Sequence, residues 1–166
     1  MIFKRGSSFT LVLALAALLA ACAYVVQRPT GGRLRSEAAI ALASLPSPTP
    51  VRVSHVVDGD TFHVFVTLRS GEIVRAPLRI RGIDTPEMKG ACEEEKYLAH
   101  QAANALAELL AGGDVLVDTI STDKYERILA RVLVQQNGAR RDVADLMVSA
   151  GYARVYTGRK RAGWCG

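Results

Sequence analysis

Between Val51 and Ile83 apolar residues fall on alternate positions in three successive runs, the period a half-buried sheet demands. The first, "VRVSHVVD" (Val51 to Asp58), ends in the turn residues Gly59 and Asp60. In the second, "TFHVFVTL", Phe62, Val64, Val66 and Leu68 share one face. "RSGE" turns the chain again, and a third run extends from about Ile73 to Ile83. Connections this short make the three runs a meander.

The period then changes. In "EEEKYLAHQAANALAELLAGG" Leu98, Ala102, Ala105, Leu106 and Leu109 recur at helical spacing before a Gly-Gly stop. Glu93, Glu94 and Glu95 stand at its front, where they suit the positive end of a helix better than a metal. Two more strands, "DVLVDTI" and "ILARVLVQ", are joined by "STDKYER", and a short helix is expected from about Arg141 to Ala150. Three strands, a helix, two strands and a helix predict a mainly β, α+β fold, a five-stranded barrel of the OB type.

A chain of 166 residues has room for one such domain, and its opening is of another kind. Lys4 and Arg5 precede the apolar run Phe9 to Val26, the layout of an export signal. Within it "LAAC" ends at Cys22 and resembles a bacterial lipoprotein box, which would make Cys22 a lipidation site. The run is also long enough for an uncleaved membrane anchor, and cleavage with release is a third outcome. All three predict a domain outside the cytoplasm, in the cell envelope or secreted. Residues 1–26 are therefore assigned to the signal or anchor, 27–50 to a flexible linker, and 51–166 to the domain.

In an oxidising compartment the remaining cysteines, Cys92 and Cys165, are expected to pair, since neither sits in a metal-binding Cys-x-x-Cys. Lys4 and Arg5 supply two of the net +5 charges. The rest of the excess is concentrated late, at Arg154, Arg159, Lys160 and Arg161, with no acid after Asp145. Such an end suits a polyanionic partner or serves as a solvated tail.

Asp58 and Asp60 lie where the first strand ends, and Asp84 and Glu87 where the third ends. Carboxylates gathered without histidine or cysteine favour an oxygen-seeking cation such as Ca²⁺, which also relieves their mutual repulsion. Arg79 precedes Asp84 on the third strand and Arg127 lies between the fourth and fifth. Forked guanidinium donors beside a carboxylate-held metal match a phosphate, so the set points to a phosphodiesterase. Each piece alone also has a plain use, as a tight turn, a helix cap or a solvated strand face. His55, His63 and His100 show no ligand spacing.

Taken together, "DGDT" (Asp58 to Thr61), "RIRGIDTPE" (Arg79 to Glu87) and "DKYER" (Asp123 to Arg127) closely resemble the staphylococcal nuclease, or thermonuclease, family over roughly Val51 to Tyr156. The resemblance implies an OB-fold, Ca²⁺-dependent hydrolase of DNA and RNA that acts without strong sequence preference. It implies Asp60, Asp84 and the backbone carbonyl of Thr85 as metal ligands, Glu87 as general base, and Arg79 and Arg127 on the scissile phosphate. Lys124 and Tyr125 would lie near a terminal phosphate of the substrate, with Asp58 and Thr61 in support. Glu126 departs from the glycine common in the family; if the position requires positive φ, glutamate costs about 1 kcal/mol and re-aims Arg127. The family's long C-terminal helix is missing or replaced by the tail ending at Cys165, in which Trp164 would stack on a base or pack beside the disulfide. A non-catalytic OB module binding nucleic acid or protein is the alternative.

Overall fold

The computed structural model describes residues 31–159 and 161–166. The readings made for the apolar run, for lipidation at Cys22 and for Lys160 lie outside the described residues.

The meander forms as the alternation predicts. Strands β2 (Arg52–Val56), β3 (Thr61–Thr67) and β4 (Ile73–Ile80) pair antiparallel in succession. Ahead of them, β1 (Thr49–Pro50) is separated from β2 by Val51 alone. The two are one strand that changes partners. Thr49 and Pro50 pair with Val117 and Leu116 of β6 (Asp114–Thr122), the Val51 amide donates to the Val115 carbonyl at 2.9 Å, and β2 then takes up β3. Strand β7 (Ile128–Gln136) runs antiparallel to β6 and parallel to β4. The circuit β1/β2, β3, β4, β7, β6 and back to β1 is the closed five-stranded barrel expected of an OB fold.

The barrel is filled from alternate positions. Phe62, Val64 and Val66 of β3, Leu78 and Ile80 of β4, Val115 and Val117 of β6, and Ile128, Ala130, Val132 and Val134 of β7 are all buried. Each fully buried side chain of this size contributes about 1.5–3 kcal/mol against the entropy of ordering the chain. Helix α1 (Gly31–Ala43) lies against β6, β4 and β3, α2 (Glu93–Ala111) adds Ala102, Leu106 and Leu110 to the core, and α3 (Val143–Ser149) adds Val143 and Met147. Among the described residues no helix is long and apolar enough to cross a membrane.

Three boundaries differ from the sequence reading. Residues 31–50 are no linker: Leu34, Ala38 and Leu42 fall one helical turn apart, Ala38 and Leu42 are core residues, and β1 closes the barrel, so these residues belong to the same compact unit as the barrel. The third strand stops at Ile80. Gly82 takes φ 86° and the chain re-enters extended backbone as β5 (Ile83–Asp84), paired with β9 (Arg154–Val155). A further strand, β8 (Ala139–Asp142), folds back on β7 through Asn137 and Gly138, both at positive φ as a tight hairpin turn requires.

Candidate active site

The barrel brings the ends of β2 and β4 together. Thr61 is in register with Arg79, and the Ile80 amide donates to the Asp60 carbonyl at 2.8 Å. Gly59 makes the closeness possible. A Cβ at that position would lie 2.6 Å from Ala102 Cβ and 2.9 Å from Thr85, so only glycine lets the aspartate turn sit against α2 and Thr85.

Asp60 is buried. Its backbone amide donates to Asp58 Oδ1 at 3.0 Å, and its Oδ1 accepts from Thr61 Oγ1 at 2.9 Å and from Arg79 Nη1. Arg79, buried as well, donates through Nη2 to the Ile83 carbonyl at 3.2 Å and stands 3.8 Å from Asp84 Oδ1. The turn at Gly82 folds Ile83 and Asp84 back over the arginine. Arg79 thus sits between the two aspartates.

The structure leaves a surplus of negative charge here. Burial pushes the Asp60 carboxyl up to about 7, opposed by Arg79 and reinforced by Asp58. Asp84 Oδ1 is buried and receives no well-directed hydrogen bond, although Arg161 Nε stands 2.7 Å away. That contact is one of charge, so the buried oxygen already faces a cation. Two buried carboxylates, one destabilised as an anion and one drawing guanidinium charge to its oxygen, fit a hard divalent ion. Thr85 is buried beside them.

Glu87 is exposed on the loop that follows, and its placement depends on a residue read differently from sequence. Glu95 is buried: Oε2 accepts the Ala91 amide at 2.8 Å and Oε1 the Glu87 amide at 3.4 Å. It therefore braces both ends of the Glu87 loop, beyond acting as a dipole partner at the front of α2. Glu93 and Glu94 are exposed as expected for the helix front. Cys92 caps α2, accepting the Glu95 amide at Sγ, and is joined to Cys165. The signal available in the sequence was its place three residues after the cap, where a capping-box glutamate reaches back.

Across the cleft, Asp123 shapes the connection between β6 and β7. Its Oδ1 accepts the Tyr125 and Arg127 amides at 2.8 and 3.0 Å, while Oδ2 takes both Nε and Nη2 of Arg127 at 2.7 Å. Burial opposes the Asp123 charge, but the Arg127 and Tyr125 hydrogen bonds and the Arg127 charge hold its carboxyl below the ordinary range. Glu126 has φ 60°, the left-handed backbone that a glycine would occupy without strain. It does not capture Arg127. Its carboxylate lies against Gly32 in the first turn of α1, facing the positive end of that helix. Lys124 Nζ and Arg127 Cζ sit 4.9 and 5.4 Å from the Tyr125 ring centroid.

Arg79, Glu87, Lys124, Tyr125 and Arg127 line one cleft of about 1030 Å³, together with Asp58, Thr61, Tyr156 and Arg161. Asp60 and Asp84 lie buried behind Arg79. His63 lies on the cleft wall, edge-on to His55 with ring centroids 4.4 Å apart, while His100 is exposed on α2. Burial, His55 and the Arg75 and Arg35 charges hold His63 below its ordinary pKa. Trp164 neither reaches the cleft wall nor remains free. Arg154 Cζ lies 3.7 Å from its ring centroid, and its indole N–H donates to Asp84 Oδ2 at 3.4 Å.

A small closed barrel with buried carboxylates behind paired arginines at one rim is an OB-type fold carrying a candidate phosphate site. Residues 77–163 match the family described as Staphylococcal nuclease homologue, and the chain belongs to that family. It is 34% identical over 122 residues to "Probable endonuclease LCL3" of Pyricularia oryzae, covering 63% of this chain and 48% of that protein. The protein of the same name from Candida tropicalis is 31% identical over 127 residues, covering 66% and 54%. "Protein ParB" of Escherichia coli is 33% identical over 148 residues, covering 82% of this chain and 76% of that protein. The chain thus spans about half the length of its fungal relatives.

Proposed function

We propose that this chain is a Ca²⁺-dependent endonuclease that hydrolyses phosphodiester bonds of DNA and RNA with little sequence preference. The observation that carries the reading is the single cleft on which Arg79, Arg127 and Glu87 open in front of Asp60 and Asp84. Arg79 and Arg127, held by Asp60 and Asp123, are aimed to address a backbone phosphate, which is common to every sequence.

Asp60, Asp84 and the Thr85 carbonyl would hold the ion. Bound there, it would supply Lewis-acid polarisation of a phosphoryl oxygen. Arg79, fixed by Asp60 and the Ile83 carbonyl, presents its charge from the barrel wall without having to be ordered by substrate. Arg127 is held by Asp123 on the far side, so a phosphate between them meets two preset guanidinium groups where charge develops. Glu87, on its braced loop, is placed to accept the proton of an attacking water. Lys124 and Tyr125 extend the cationic wall towards a neighbouring phosphate.

Lys4, Arg5 and the apolar run behind them support export to the cell envelope, with lipidation at Cys22 or an N-terminal anchor holding the protein at the membrane. The disulfide suits that compartment. We read the active unit as a monomer, because one chain carries every residue the chemistry needs.

The test is digestion of plasmid DNA and of RNA by purified protein in millimolar Ca²⁺, in chelator, and with Glu87→Ala and Arg127→Ala. Cleavage that needs Ca²⁺ and falls about 10²-fold or more in both variants is expected. Intact DNA and RNA with the wild-type protein in Ca²⁺ would favour the non-catalytic module instead.

A further inference from the structure

The basic C-terminal tail does not lie free in solvent. Arg161 reaches into the cleft, its Nε 2.7 Å from Asp84 Oδ1 and its Nη1 donating to Glu87 Oε1. The segment that delivers it is fastened on both sides. Upstream, Arg154 pairs in register with Asp84 and donates to the Gly163 carbonyl at 2.9 Å. Downstream, Trp164 packs under Arg154 and donates to Asp84 Oδ2, and Cys165 is bonded to Cys92 at the cap of α2. The tail is therefore a strap across the site rather than an arm for a nucleic-acid backbone.

The geometry points to Arg161 as a built-in counter-cation, a positioning residue that a divalent ion must displace from Asp84 and that releases Glu87 when it leaves. This rests on the metal reading proposed above. A guanidinium 2.7 Å from Asp84 Oδ1 repels a divalent ion brought to the same carboxylate, so the two positive charges compete for it. Because Arg161 also holds Glu87, arrival of the ion and freeing of the base are coupled. The strap keeps the guanidinium at high effective concentration, so the competition does not weaken on dilution. The arrangement raises the Ca²⁺ level at which the site becomes active.

Calorimetric titration of Ca²⁺ into the full chain, compared with Arg161→Gln and Arg161→Lys, tests this. Emission of Trp164, the single tryptophan, reports on the strap in parallel. The Arg161 side chain is 38% exposed and partly screened, so the Gln variant should bind Ca²⁺ about tenfold more tightly, towards the lower part of the usual range for coupled sites. The Lys variant, which keeps the charge, should stay within about threefold of wild type, and Ca²⁺ should shift Trp164 emission in the wild-type protein. Equal or weaker Ca²⁺ binding by Arg161→Gln, or a Lys variant matching the Gln variant, would overturn the inference while leaving the metal reading intact. Asp84→Asn should abolish binding. No Ca²⁺ binding by wild type and Arg161→Gln alike would remove both.

Discussion

Replacing Cys165 with serine cuts one bond and leaves the barrel core untouched, so it isolates what the crosslink does. The bridge spans 73 residues of sequence, from the cap of α2 to the end of the tail. In the chain-entropy account, a loop of that length removes enough freedom from the unfolded chain to stabilise the fold by about 4 kcal/mol. For a domain of this size that corresponds to a fall in Tm of about 10–20 °C. Urea denaturation followed by far-ultraviolet circular dichroism is the appropriate assay, because Trp164 emission would report the strap itself. Two further results follow from the same reasoning. The m-value should rise, since an uncrosslinked unfolded chain exposes more surface. Cys92→Ser should lose no more stability than Cys165→Ser, because serine is a good N-cap and can still accept the Glu95 amide now taken by Cys92 Sγ. A loss below about 1 kcal/mol with an unchanged m-value would refute the entropic account.

Glu95→Ala should cost about 1–3 kcal/mol by orphaning the Ala91 and Glu87 amides, and should lower kcat more than it raises KM, because Glu87 loses its brace. Glu126→Gly should change the unfolding free energy measured in urea by less than about 1 kcal/mol. Relief of the left-handed backbone, about 1–2 kcal/mol, is offset by the freedom glycine gains when unfolded and by loss of the carboxylate at α1. Asp123, whose carboxyl is held below its ordinary value, contributes stability that is present above the unfolded pKa of 3.8 and lost as pH falls through the lower folded value. Acid titration of Asp123→Asn should therefore show a shallower loss of stability below pH 3.8 than wild type.

The barrel was legible because its strands alternate cleanly: Phe62, Val64 and Val66 declare one buried face, as do Ile128, Ala130, Val132 and Val134. The packing of helix α1 onto the barrel was hidden by its small residues. Ala38, Ala39 and Ala41 carry little hydrophobic signal, and Pro and Gly at either end of the segment read as tether, yet alanines suit a close approach to a sheet. The break at Gly82 escaped notice because Ile80 and Ile83 straddle it without disturbing the apolar texture. The roles of Glu95 and Arg161 depend on contacts 8 and 74 residues away, to Glu87 in both cases, which no local pattern encodes. The gathering of carboxylates and arginines was legible in another way, through the order and spacing of three short motifs.

The parallel pairing of β4 with β7 sets Leu78 opposite Ile128 and Arg79 opposite Leu129. Arg127 stands one residue before β7, so barrel hydrogen bonds set the spacing at which the two guanidinium-bearing backbones start, and Asp123 aims the Arg127 side chain from there. Slipping one strand by a single residue would turn its arginine to the opposite face and expose its core residues. Drift in the surrounding loops can change which polymers enter or how long they stay. The paired strand positions beside the two arginines move apart only if the sheet unzips, so the loop that carries Asp123 is the one place where the grip on the phosphate can be retuned.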